Sequence, residues 1–156
     1  MEDTNINLYE ATFPFTIVKD IKSIEGLENL GSLVEIIKVN FLITKIDADS
    51  FSLQGNIKAT FELECQRCSK ISPIILDIKS KVGIKDKLEE NSDQKVPDDI
   101  HYQNLRLFNI DILTREEIYL NFPSIFLCCT KDIEEGNNMI HDKKIKPFKK
   151  IKDLLK

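Results

Sequence analysis

Three runs of alternating apolar and polar side chains dominate the middle of the chain. In the first, between Leu33 and Ile46, the apolar positions Ile37, Val39, Phe41 and Ile43 recur every second residue. In the second, Phe51, Leu53, Ile57, Ala59, Phe61 and Leu63 point one way, and Ser52, Gln54, Asn56, Lys58, Thr60, Glu62 and Glu64 point the other. The third resumes after Cys68 with Ile74, Leu76, Ile78, Val82 and Ile84. A period of two over such lengths predicts half-buried antiparallel strands. The turn residues Asp47 to Ser50 separate the first two, and Gly55 predicts a bulge or bend. The three strands form a meander, and the segment Cys65-Gln66-Arg67-Cys68 sits at its second turn.

The flanks are weaker in pattern. Residues 1–20 contain a short apolar stretch in which Pro14 suits the start of an edge strand. Residues 23–32 form a weak helix pattern that Ser23 could cap and that Gly26 and Gly31 oppose. Residues 85–104 are polar and acid-rich, which predicts a mobile loop. From Asn109 the spacing predicts a helix that stops before Pro123. Its polar positions Thr114, Glu117 and Asn121 make a narrow stripe; Ile112, Leu113, Ile118, Tyr119, Leu120 and Phe122 cover the rest, so more than half of it should be buried. This helix is expected to cover the open face of the sheet. Residues 124–132 read as extended and carry a second cysteine pair, Cys128-Cys129. The expected architecture is α+β: one domain over 1–156, an antiparallel β-meander of long strands covered by one or two helices.

Composition narrows the function classes. With 42% hydrophobic and 31% charged residues over 156 positions, the chain has the make-up of a globular domain with one core. No apolar run is long enough for a membrane span, and the acidic, polar start Met1 to Glu10 reads as neither a signal nor a transit peptide. Four cysteines in that setting are expected to be reduced, in a cytoplasmic protein. A net charge of −4 argues against strong non-specific nucleic-acid binding. The charge is nevertheless segregated. Lys143 to Lys156 holds seven lysines against Asp153, a net +6, which leaves −10 on the rest.

The cysteines are the main candidate chemistry. A Cys-x-x-Cys turn supplies two thiolates to a tetrahedral zinc ion, and Cys65 and Cys68 have that spacing. Cys128 is the expected third ligand with Cys129 as its alternative, because adjacent residues of an extended segment point apart. His101 or His141 could substitute. Two other readings stay open: four reduced thiols packed as small apolar groups, or a redox pair. The redox reading is the weaker, since no helix N-terminus follows Cys68 to depress a thiol pKa. Arg67, held between the cysteines, could clamp a phosphate or carboxylate, or pair locally with Glu62 or Glu64.

Together these motifs resemble the YceD family of bacterial proteins. The likeness is carried by Gly55, Leu63, Cys65, Arg67 and Cys68, then by the acidic helix pattern Ile110, Asp111, Leu113, Glu116, Glu117, Ile118, Leu120 and Pro123. The ending also fits, through Pro147, Phe148, Ile151 and Leu154. It spans about residues 50–156. Cys128 falls where the family places a His or Cys after the proline. A further family cysteine is replaced by Lys131, Asp132 and Ile133, with the extra thiol at Cys129. The resemblance implies a role in accumulation or processing of large-subunit ribosomal RNA.

No catalytic constellation stands out, and no Gly-rich phosphate loop is present. Glu116 and Glu117 read as helix-solubilising charges with Arg115 or a lysine as partner, and the histidines lie in polar segments. No enzyme and no small-molecule substrate is therefore expected. The expected partners are ribosomal RNA or pre-ribosomal proteins, with no membrane. Arg67, Lys144, Lys146, Lys149, Lys150 and Lys152 are the expected contacts, and zinc is the one expected cofactor. The alternatives are a zinc-knuckle adaptor for other proteins and, less favoured, a thiol oxidoreductase.

Overall fold

The computed structural model describes residues 5–87 and 99–129. The three alternating runs form the backbone of a six-stranded, mostly antiparallel sheet. They are β4 (Ile37–Lys45), β5 (Ser50–Glu64) and β6 (Ile71–Asp86). The inward set of each is the set the alternation picked out: Ile37, Val39, Phe41 and Ile43; Phe51, Leu53, Ile57, Ala59 and Phe61; Leu76, Ile78, Val82 and Ile84 are all buried. β2 (Phe15–Ile21) pairs with β4 at one edge, directly after Pro14. The two-residue β3 (Ser32–Leu33) extends that side of β5 beyond the end of β4. A separate two-stranded ladder joins β1 (Asn5–Ile6) to β8 (Phe108–Asn109), and α1 (Ile110–Asn121) follows. Asn109 caps α1 by accepting the Asp111 N–H at 2.8 Å.

Four expectations need correction. Residues 23–32 form no α-helix: Gly26 at φ 95° breaks the chain into a single 3-10 turn at Leu27–Asn29. Gly55 is no bulge, because the register of β5 with both neighbours runs straight through it. Its role is close approach. A Cβ there would lie 1.9 Å from the Asn40 carbonyl oxygen and 2.8 Å from Phe41 Cα. The span 85–104 is not all loop, since β6 continues to Asp86 and β7 (Ile100–Gln103) pairs parallel with Gly83–Asp86. Residues 88–98 lie outside the described residues.

The fourth correction concerns α1, whose buried face is Ile110, Leu113, Thr114, Glu117 and Ile118. Thr114 and Glu117 of the polar stripe therefore lie on the inward seam, whereas Asn121 is exposed, Leu120 stands 71% exposed and Ile112 and Tyr119 are also exposed. Burial of Glu117 is tolerated because it accepts the Ser80 hydroxyl of β6 at 2.6 Å, whereas the Thr114 hydroxyl has no partner among the described residues. His101 is likewise buried rather than solvated. It meets Glu116 at 2.5 Å through Nδ1 and Gln103 at 2.8 Å through Nε2. The helix runs back from the β7 end of the sheet toward the β5–β6 turn, and Phe122 stacks edge-on against Phe61.

Candidate metal centre

The turn between β5 and β6 is short and tightly determined. The Cys65 carbonyl accepts the Ser69 N–H at 3.0 Å, and the Cys65 N–H is given to the Lys70 carbonyl at 2.9 Å. Ser69 closes the turn at φ 57°, a left-handed conformation that a non-glycine residue holds at a cost of about 1 kcal/mol. The segment after Pro123 then lies against this turn. Gln66 donates its backbone N–H to the Phe126 carbonyl at 3.1 Å and its side-chain amide to the Ser124 carbonyl at 3.4 Å. Phe122 on Phe61 anchors the start of the same segment. Two stretches some sixty positions apart in sequence thus meet, for reasons that involve no thiol.

Their meeting gathers all four cysteines. Every Sγ lies within 4.8 Å of the others; Cys68 and Cys128 are 3.3 Å apart, Cys65 and Cys129 3.9 Å. None forms a disulfide. Four sulfurs at about 2.3 Å from a central zinc ion would stand about 3.8 Å from one another, so this spacing fits a tetrahedral thiolate site. The choice between Cys128 and Cys129 does not arise in this geometry. The chain turns at these two residues rather than staying extended, and both sulfurs face the same centre. The turn has no clear sequence signal, which is why adjacency misled.

The electrostatics suit a cation. Cys65 is 1% exposed, and its sulfur accepts backbone N–H groups, including those of Cys128 at 3.3 Å and Arg67 at 3.5 Å. The Cys68 amide, followed by those of Arg67 and Cys128, holds this thiol down at about 5 against the opposing effect of desolvation. Hydrogen bonding to Cys68 pushes the Cys128 thiol up, and desolvation pushes Cys129 up to about 11. One sulfur is thus prepared as a thiolate, and the crowding of the others would be relieved by a divalent cation that deprotonates them.

The remaining predicted residues divide sharply. Arg67 is exposed at the turn and, among the described residues, makes no ion pair with Glu62 or Glu64; its backbone, not its guanidinium, serves the site. His101 lies in the network with Glu116 and Gln103 and belongs to no thiol cluster. His141 and Lys144, Lys146, Lys149, Lys150 and Lys152 lie outside the described residues. No helix among the described residues is long and apolar enough to cross a membrane. Compared with known proteins, the chain matches no family model, no curated protein and no solved structure.

Proposed function

We propose that this chain is a non-enzymatic factor in the synthesis, processing or stability of large-subunit ribosomal RNA, and that zinc bound by Cys65, Cys68, Cys128 and Cys129 staples its interaction surface. The convergence of four sulfurs within 4.8 Å carries the metal part of this reading. Four protein thiolates would fill a zinc ion's coordination sphere and leave no open position for water or substrate, the hallmark of a structural rather than catalytic site. The motif resemblance supports the ribosomal part, because Cys65, Arg67, Cys68 and Pro123 are both the residues that carry the likeness and the residues that build or introduce the site. An acidic body of net charge −10 suits a basic ribosomal protein, and the lysines of 143–156 suit a phosphate backbone. A thiol oxidoreductase is less supported, because the sulfur best prepared for attack, Cys65, is shielded from solvent.

The test is depletion of the protein in its host, with the ratio of large- to small-subunit ribosomal RNA read by gel. The ratio should fall, and a copy with Cys65 and Cys68 both changed to serine should fail to restore it. An unchanged ratio on depletion would remove the ribosomal role.

A further inference from the structure

The four sulfurs are not equivalent. Cys65 is 1% exposed, and its sulfur is held by the backbone N–H groups of Cys128 at 3.3 Å and Arg67 at 3.5 Å. Cys129 is half-buried, whereas Cys68 and Cys128 are both exposed. These outer two lie 3.3 Å apart, against 3.9 Å for Cys65 and Cys129. A disulfide needs about 2.05 Å between sulfurs, so the outer pair must close by about 1.3 Å and the inner pair by about 1.9 Å. Closing the inner pair would also pull the Cys65 sulfur away from its N–H donors. The adjacent pair Cys128-Cys129 is disfavoured by the backbone itself, since consecutive Cα atoms stand about 3.8 Å apart and a disulfide usually spans about 4.4–6.8 Å.

We propose that Cys68 and Cys128 are an oxidative modification site, at which a peroxide joins them in a disulfide that takes over from the metal as the cross-link between the β5–β6 turn and the segment after Pro123. The thiolate of one attacks a peroxide oxygen and breaks the O–O bond, giving a sulfenic acid and hydroxide. The thiolate of the other attacks that sulfur, forming the S–S bond and expelling the sulfenic oxygen as a second hydroxide. The two sulfurs give up two electrons in all, and two protons from solvent turn the hydroxides into water. Exposure makes the bond reversible, because an external dithiol reaches it by exchange and is itself oxidised.

The bond rests on the two sulfurs alone; its effect on the metal rests on the zinc reading above. Sulfurs joined to each other no longer serve as thiolate ligands. Cys65 and Cys129 are then the two thiolates left, half of a closed zinc site. The metal is lost, yet the segment after Pro123 is not released, because Cys68 belongs to the turn and Cys128 to that segment. A bond between Cys65 and Cys68 would lie within the turn and tie nothing to it. The pairing across the two stretches is therefore what keeps the surface assembled under oxidant.

Hydrogen peroxide added to the full-length, reduced chain tests this, in its metal-loaded and its chelator-stripped form. After an acid quench and alkylation in denaturant, peptide mass spectrometry should map one disulfide to Cys68–Cys128 in both forms, with Cys65 and Cys129 alkylated. The loaded form should release one zinc ion per bond to a chromogenic chelator, and hydrogen exchange should stay slow at residues 124–129. A dithiol should restore four alkylable thiols. Cys68→Ser and Cys128→Ser should each lose the bond and Cys129→Ser should keep it, with circular dichroism verifying that each variant is folded. A bond that forms in a chain found to carry no zinc would uphold the site and remove the zinc reading alone. A disulfide mapped to Cys65–Cys68, oxidation of the outer pair to sulfinic acids, or four thiols left intact would each overturn the proposal.

Discussion

Metal removal should separate two layers of stability. A zinc ion joining Cys65 to Cys128 and Cys129 would close a loop of about 64 residues, and a cross-link of that span restricts the unfolded chain by about 4 kcal/mol at room temperature. Domains of this size are typically stable by about 5–15 kcal/mol, so the stripped protein should remain folded but weakened. The sheet core has no thiol at its centre: Phe41, Phe51, Phe61 and Phe108 are fully buried without help from the cysteines. The segment after Pro123 would depend far more on a bound metal, since its other named ties are two hydrogen bonds from Gln66, the Cys128 N–H given to the Cys65 sulfur and the edge-on contact of the preceding Phe122 with Phe61 of β5. Denaturant unfolding of metal-loaded and chelator-treated protein, both under reductant, gives the global number. Hydrogen exchange gives the local one. Chelation should lower the unfolding free energy by about 4 kcal/mol and deprotect residues 124–129 first. Equal unfolding midpoints with unchanged exchange at 124–129 would refute the staple.

Three further outcomes follow from particular residues. Thr114→Val should stabilise the fold by about 1 kcal/mol by removing a buried hydroxyl that has no partner among the described residues, measured by urea unfolding; a loss instead would mean that the hydroxyl is satisfied. Gly55→Ala should destabilise by about 3 kcal/mol, because its Cβ would overlap the Asn40 carbonyl; a near-neutral result would show that β4 and β5 are free to separate there. In the metal-free, reduced protein, stability should depend on pH in opposite senses on the two sides of the ordinary thiol range. Cys65, depressed to about 5, contributes stability that is present above the unfolded thiol pKa and fades as pH falls toward 5. Cys129, raised to about 11, contributes stability that is present below the unfolded value and fades as pH rises toward 11. An unfolding midpoint that is flat from pH 5 to the ordinary thiol range would contradict the assigned Cys65 environment.

The sheet was legible because its signal is local. A strand buried on one face writes its geometry into the sequence every second residue, and β4, β5 and β6 do so almost without exception. β7 was not legible, since it turns His101 and Gln103 inward and satisfies them with Glu116 and each other. Apolar alternation cannot reveal a strand whose buried residues are polar. The same reason inverted α1: Thr114 and Glu117 share the inward seam with Ile110, Leu113 and Ile118, while Leu120 faces out. In the site, Cys65 and Cys68 were legible from spacing and from their place at a turn. That Cys128 and Cys129 both join them depends on a tertiary contact between Gln66 and the segment 124–126, together with a turn at 128–129, and neither has a local pattern.

Native mass spectrometry of protein purified without chelator is the most direct test of the metal centre. One zinc ion per chain, lost together with protection of the four thiols from alkylation when any one of Cys65, Cys68, Cys128 or Cys129 is changed to serine, is the predicted result. A chain of unmodified mass whose four thiols all alkylate freely in the folded protein would contradict it.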